Sequence, residues 1–166
     1  AYGEDSNQTT ITNGTTSSSN NSPDLRGAAY VYKRSGSTWA QQAYLKASNT
    51  DASDYFGYSV SISGDTIVVG AHNEDSNQTT ITNGTTSSSD NSVSGSGAAY
   101  VYKRTGTTWA QEAYLKASNP DASDSFGFSV GISGDTIVVG AYGEDSNQTT
   151  ITNGTTSSSN NSPDLR

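Results

Sequence analysis

The chain has 166 residues, no cysteine and a formal net charge of −8, with a pI of 4.3. The missing cysteines exclude disulfides and thiolate metal sites, and the acidic balance argues against nucleic acid and anionic membranes as partners. Only 30% of the residues are apolar, low for a globular domain, and no apolar run is long enough to span a bilayer.

The segment AYGEDSNQTTITNGTTSSSNNSPDLR opens the chain at 1–26 and returns unchanged at 141–166. Residues 1–70 align on 71–140 without a gap, so the period is 70 residues, the mark of a repeat architecture, and the exact return of 1–26 at 141–166 also fits a larger period of 140 residues in which two versions of the unit alternate. The chain starts and stops inside a repeat and is read as a piece of a longer protein. It divides into a partial repeat at 1–55 (an insertion plus strands three and four), a complete repeat at 56–125, and a partial repeat at 126–166 (strands one and two plus the insertion).

In the complete repeat, Phe56, Tyr58, Val60 and Ile62 alternate with small residues, which predicts a strand with one larger face. Ser63-Gly64-Asp65 is a tight-turn signal. The β-branched run Thr66–Ala71 predicts a second strand, buried on both faces. A polar insertion follows at 74–92. Its Asn83-Gly84, preceded by Thr79-Thr80-Ile81-Thr82, predicts an extra hairpin rather than a structureless loop. Ala98–Tyr102 is the third strand. Trp109–Ala117 is the fourth, with Trp109, Ala113, Leu115 and Ala117 expected on one face. No window carries a helical period with caps. The expected fold is all-β: propeller-type blades of four antiparallel strands, with a hairpin-like polar insertion between strands two and three. A blade cannot bury its faces alone and needs neighbours.

Phe56-Gly57-Tyr58-Ser59-Val60, Ile67-Val68-Val69-Gly70-Ala71 and Gly97-Ala98-Ala99-Tyr100-Val101-Tyr102 resemble FG-GAP repeats, the blades of integrin α-subunit propellers and of bacterial and archaeal surface proteins. The first two motifs recur from Phe126 and from Ile137. The resemblance implies a β-propeller, usually seven-bladed, that works in adhesion or recognition. Many such blades carry a D-x-D-x-D-G calcium loop between strands one and two. Here that place holds only Ser63-Gly64-Asp65 and Ser133-Gly134-Asp135.

The blade topology sorts the charges. Strand-end acids gather on one rim, and Lys33, Arg34, Lys103 and Arg104 gather at the other end. Asp51, Asp54, Glu74, Asp75, Asp121 and Asp124 are the candidate ligands of calcium, the one cofactor the chain suggests, at the blade junctions. Two other readings compete. Asp54 and Asp124 suit turn caps before Phe-Gly, and scattered acids suit a solvated surface. N-x-S/T triplets begin at Asn7, Asn13, Asn20, Asn77, Asn83, Asn147, Asn153 and Asn160. They are candidate glycosylation sites, in segments whose composition also produces such triplets by chance.

Catalysis has little to stand on. The one histidine, His72, is replaced by Tyr2 and Tyr142 in the other repeats and is expected at the surface of a strand end. Glu74 and Asp75 point to opposite sides of an extended segment, a poor acid/base pair. Tyr30, Tyr32, Tyr44, Tyr100, Tyr102 and Tyr114 suit packing between blades better than stacking on sugars. The chain is therefore expected to be a non-enzymatic, extracellular or cell-surface repeat protein. Its expected work is structural assembly or adhesion, with other copies of itself or adjacent repeats as partners. The alternative is a discrete propeller recognising a protein or glycan through its insertion loops. The near-identity of the insertions favours assembly, as head-to-tail or strand-sharing polymerisation into a filament.

Overall fold

The computed structural model describes residues 1, 3–18, 24–155 and 157. Among them there are ten strands and no helix. In chain order these are β1 (Thr12–Asn13), β2 (Ala29–Ser35), β3 (Thr38–Leu45), β4 (Ser59–Ser63), β5 (Thr66–Ala71), β6 (Thr82–Asn83), β7 (Ala98–Thr105), β8 (Thr108–Leu115), β9 (Phe126–Ser133) and β10 (Thr136–Ala141). They form three antiparallel sheets, ordered β1-β3-β2, β4-β5-β7-β8-β6 and β10-β9, which do not close into a ring.

The middle sheet contains the expected meander β4, β5, β7, β8, but it has five strands rather than four. The insertion makes no hairpin with itself. Its Thr82 and Asn83 pair with Tyr114 and Ala113 of β8, and Gly84 N–H donates to Glu112 O at 2.6 Å. The reason is the outer edge of the blade. β8 there presents a row of unpaired backbone groups, and a β-prone Thr-Ile-Thr-Asn run from the same chain satisfies them. β1 does the same for β3, with Thr12 opposite Tyr44.

The faces of β8 also differ from simple alternation. Val101 lies opposite Ala113 but Tyr102 lies opposite Gln111, so Glu112 is the extra residue of a bulge. Trp109 therefore leaves the Ala113 face. It joins a core with Tyr100, Tyr102, Tyr114, Ile67 and Val69 of its own blade and Val31, Ala43, Leu45 and Ala47 of the preceding one. Each blade thus presents an aromatic face to the blade before it and a small aliphatic face to the blade after it.

The Phe-Gly motif joins the blades. Phe56 is buried edge-on against Tyr100 at 5.3 Å, and its N–H donates to Arg26 O at 3.1 Å. Phe56 and Gly27 form a parallel bridge, as do Phe126 and Gly97. A Cβ on Gly57 would sit 2.2 Å from Ala28 O, so only glycine lets the two backbones touch. β4 begins at Ser59, whereas β9 of the last repeat begins at Phe126 itself.

Candidate functional site

The most elaborate polar site lies where two blades meet, and it is centred on Glu74. Glu74 follows β5 after a short turn closed by its N–H on Ala71 O, and it is fully buried. Oε2 accepts from Lys116 Nζ at 2.9 Å and from Ser76 N–H at 3.2 Å. Oε1 accepts from Tyr114 OH at 2.8 Å and from Asn49 Nδ2 at 2.9 Å. Lys116 also donates to Ser96 Oγ at 2.8 Å and to Gly97 O at 2.6 Å, so all three of its N–H donors are used. Burial lowers the Lys116 pKa, and the Glu74 charge opposes that shift. Burial, then the Glu74 charge, raises both Tyr100 and Tyr114 well above the ordinary phenol value.

Asn49 belongs to the loop after β3, so Glu74 ties its own blade to the preceding one. Asn49 Oδ1 accepts from Tyr100 OH at 2.6 Å, and its Nδ2 also donates to Ser88 O at 2.6 Å. The arrangement recurs with the period. Lys46 pairs with Glu4 at 3.1 Å in the first repeat, and Asn119 donates to Glu144 at 3.0 Å in the third. The sequence reading passed over Lys46, Lys116, Asn49 and Asn119. The available signal was a lysine at the apolar end of a strand, at the same place in each repeat, 42 residues after a glutamate.

The candidate calcium ligands lie within electrostatic reach of one another but do not converge on one point. Asp54 Oδ2 accepts from Asp51 N–H at 2.8 Å and Asp124 Oδ2 from Asp121 N–H at 2.7 Å, the geometry of turn caps. Asp51 accepts from Asn91 Nδ2 at 3.0 Å, Asp75 from Gly95 N–H at 2.7 Å, and Glu74 is neutralised by Lys116. Among the described residues no three carboxylates or histidines gather as a metal ion requires. At the turn between β4 and β5, where the resemblance would place a calcium loop, Asp65 pairs with Arg104. These residues do not fit a calcium shell.

Asp54 is the strained member. Burial foremost, then the charges of Glu74, Asp51 and Asp75, push its carboxyl up to about 7, against the lowering hydrogen bond from Asp51. A folded-state pKa above the unfolded value of 3.8 contributes stability at low pH that is lost as pH rises through 7. Asp54→Asn keeps the acceptor without the charge. The expected result is that the variant gains roughly 2–4 kcal/mol on wild type between pH 5 and pH 8, read from urea midpoints.

The insertion lies against the neighbouring blade. Ser87 and Ser88 bond Ser48 and Asn49 of the preceding blade, and Ser157 bonds Ser118 in the same way. Asn13 reaches the following blade, accepting from Trp109 N–H at 2.8 Å. Of the candidate glycosylation sites, Asn7, Asn13, Asn77, Asn83, Asn147 and Asn153 are exposed. Asn20 and Asn160 lie outside the described residues, as does Tyr2.

His72 is not a free surface residue. It is half-buried, stacked on Tyr55 at 5.3 Å and flanked by Tyr58 at 4.3 Å and Phe128 of the next blade at 5.6 Å. Burial lowers its pKa. Tyr44, Tyr100, Tyr102 and Tyr114 are buried, while Tyr32 is exposed.

The family model described as the FG-GAP repeat matches residues 39–102 and 109–156. No curated protein and no solved structure matches the chain.

Proposed function

Because the chain belongs to the FG-GAP repeat family, we propose that it is a non-enzymatic building module of an extracellular assembly, whose work is to stack blade on blade. FG-GAP repeats are typical of extracellular or adhesion-type β-propeller proteins. The observation that carries the proposal is the Glu74 clasp. The buried acid and base of the clasp are both saturated by hydrogen bonds, and those bonds run within and across a blade junction. The insertions favour assembly over recognition, since Ser87, Ser88 and Asn13 bond neighbouring blades. Calcium has no part in the proposal, because the carboxylates that would bind it are turn caps and ion-pair partners.

Negative-stain electron microscopy of the native full-length material tests the reading. Continuous filaments with a constant axial spacing are expected. Discrete particles of fixed diameter that bind a protein or glycan through the insertion face would instead make the module a recognition propeller.

A further inference from the structure

We infer that Lys116 forms a side-chain amide with Asn49 in the folded chain, a covalent bond that fastens the middle blade to the blade before it. The inference goes beyond blade stacking, and its failure would leave that role standing.

The three groups that such a bond needs meet at the clasp. Lys116 Nζ donates to Glu74 Oε2 at 2.9 Å, and Asn49 Nδ2 donates to Oε1 of the same carboxylate at 2.9 Å. One carboxylate therefore holds the nucleophile by one oxygen and the leaving nitrogen by the other. Tyr100 OH donates to Asn49 Oδ1 at 2.6 Å. That is the oxygen on which negative charge gathers as the amide carbon becomes tetrahedral, so Tyr100 stands as an oxyanion donor. The site is dry. The Lys116 side chain is 0% exposed and that of Glu74 1%, and Tyr100 and Tyr114 are fully buried beside them. Burial favours the neutral amine of Lys116, with the Glu74 charge opposing it, and only the neutral amine is a nucleophile.

The step balances within the chain. A proton passes from the Lys116 ammonium to Glu74. Nζ then leaves Ser96 Oγ and Gly97 O and closes on Asn49 Cγ, where attack needs an approach of roughly 3–3.5 Å. The Nζ–Cγ bond forms and the Cγ–Nδ2 bond breaks. Two protons in all travel from Nζ to Nδ2 by way of Glu74, so the amide nitrogen of Asn49 departs as ammonium and Glu74 ends as the carboxylate it began. Nothing is oxidised or reduced, and no co-reactant is required. A newly folded chain presents the buried ion pair, and the amide replaces it once, with no turnover. The same residue types stand one period away, where Lys46 pairs with Glu4 and Asn119 donates to Glu144.

Mass spectrometry of the denatured chain, followed by tryptic mapping, tests the bond. Wild type is expected to weigh one ammonia less than its sequence. Trypsin does not cut after an acylated lysine, so segment 47–103, which holds Asn49, is expected to stay joined to the segment that starts at Thr105 and runs on through Lys116. Asn49→Ala and Lys116→Arg are each expected to keep the full mass. Glu74→Gln keeps the shape of the side chain but carries no protons, and it is expected to fold, by its β-sheet circular dichroism, without forming the link. Asn119→Ala is expected to keep the link. A folded wild type of full sequence mass overturns the bond. So does an ammonia loss with Lys116 still cut, which would place the loss at an Asn-Gly pair such as Asn83-Gly84. Loss of one water instead would join Lys116 to Glu74 itself and overturn the assignment to Asn49. A Glu74→Gln chain that still forms the link overturns the proton-carrying role.

Discussion

Glu74→Ala is expected to destabilise the chain by about 3–5 kcal/mol, the usual loss when one partner of a buried ion pair is removed. The alanine leaves the Lys116 ammonium fully buried with Ser96 Oγ and Gly97 O, and it removes the carboxylate to which Tyr114 OH donates. It also releases Asn49, so the loss reaches across the junction into the preceding blade. Glu144 occupies the same place in the sequence repeat, but its side chain is exposed and among the described residues bonds Asn119 and Ser146. Glu144→Ala is expected to cost under about 0.5 kcal/mol. Urea unfolding of the two variants side by side decides the matter. Equal losses would mean that the effect lies in the local turn and not in the clasp. Replacing the pair together, as Glu74→Gln with Lys116→Met, removes both charges and is expected to recover more than half of the loss.

Gly70→Ala is expected to cost about 2–4 kcal/mol, and again the matching position in the next repeat is the control. A Cβ on Gly70 falls 2.0 Å from Gly127 O, a backbone atom of the following blade, and 2.3 Å from Ser59 Oγ. Ser59 Oγ itself donates to Gly127 O at 2.7 Å, so the hydroxyl cannot swing away without giving up that bond. The blades must separate there. At Gly140 the nearest backbone atom to the added carbon is Ser129 O at 3.9 Å, and the close contact, Ser129 Oγ at 2.5 Å, is a side-chain atom that rotates about χ1. Gly140→Ala is expected to stay within about 0.5 kcal/mol of wild type. Hydrogen exchange locates the damage. Faster exchange in β9 and β10 of Gly70→Ala is expected, with β7 and β8 unchanged, and uniform acceleration would place the strain inside the middle blade instead.

The strands were legible in the sequence because their apolar runs are short, separated by turn residues and repeated. Thr66–Ala71 and Ala98–Tyr102 fall where the β-branched and aromatic runs put them. The fate of the insertion was not legible. Asn83-Gly84 carries a local hairpin signal, but the open edge of β8 is a tertiary partner that no local pattern reports. The bulge at Glu112 was hidden for the same reason, since it exists only in the pairing of β7 with β8. The acids were legible as a group but not as individuals. Asp54 and Asp124 take the turn-capping geometry that their place before Phe-Gly suggests. Glu74 differs because its partners stand 25 residues before it and 40 and 42 after it. Composition alone showed acidic residues, and only the fold shows which one is balanced by a buried lysine.

The bonds from Asn49 to Glu74 and from Asn119 to Glu144 lie one period apart and join like to like. The two junctions thus share this bond in the same place. Recombination between neighbouring repeats in the coding DNA would add or remove 70 residues in frame and leave the Asn–Glu bond at each remaining junction. The length of such a protein can change in one genetic event, with no further substitution needed to keep it folded.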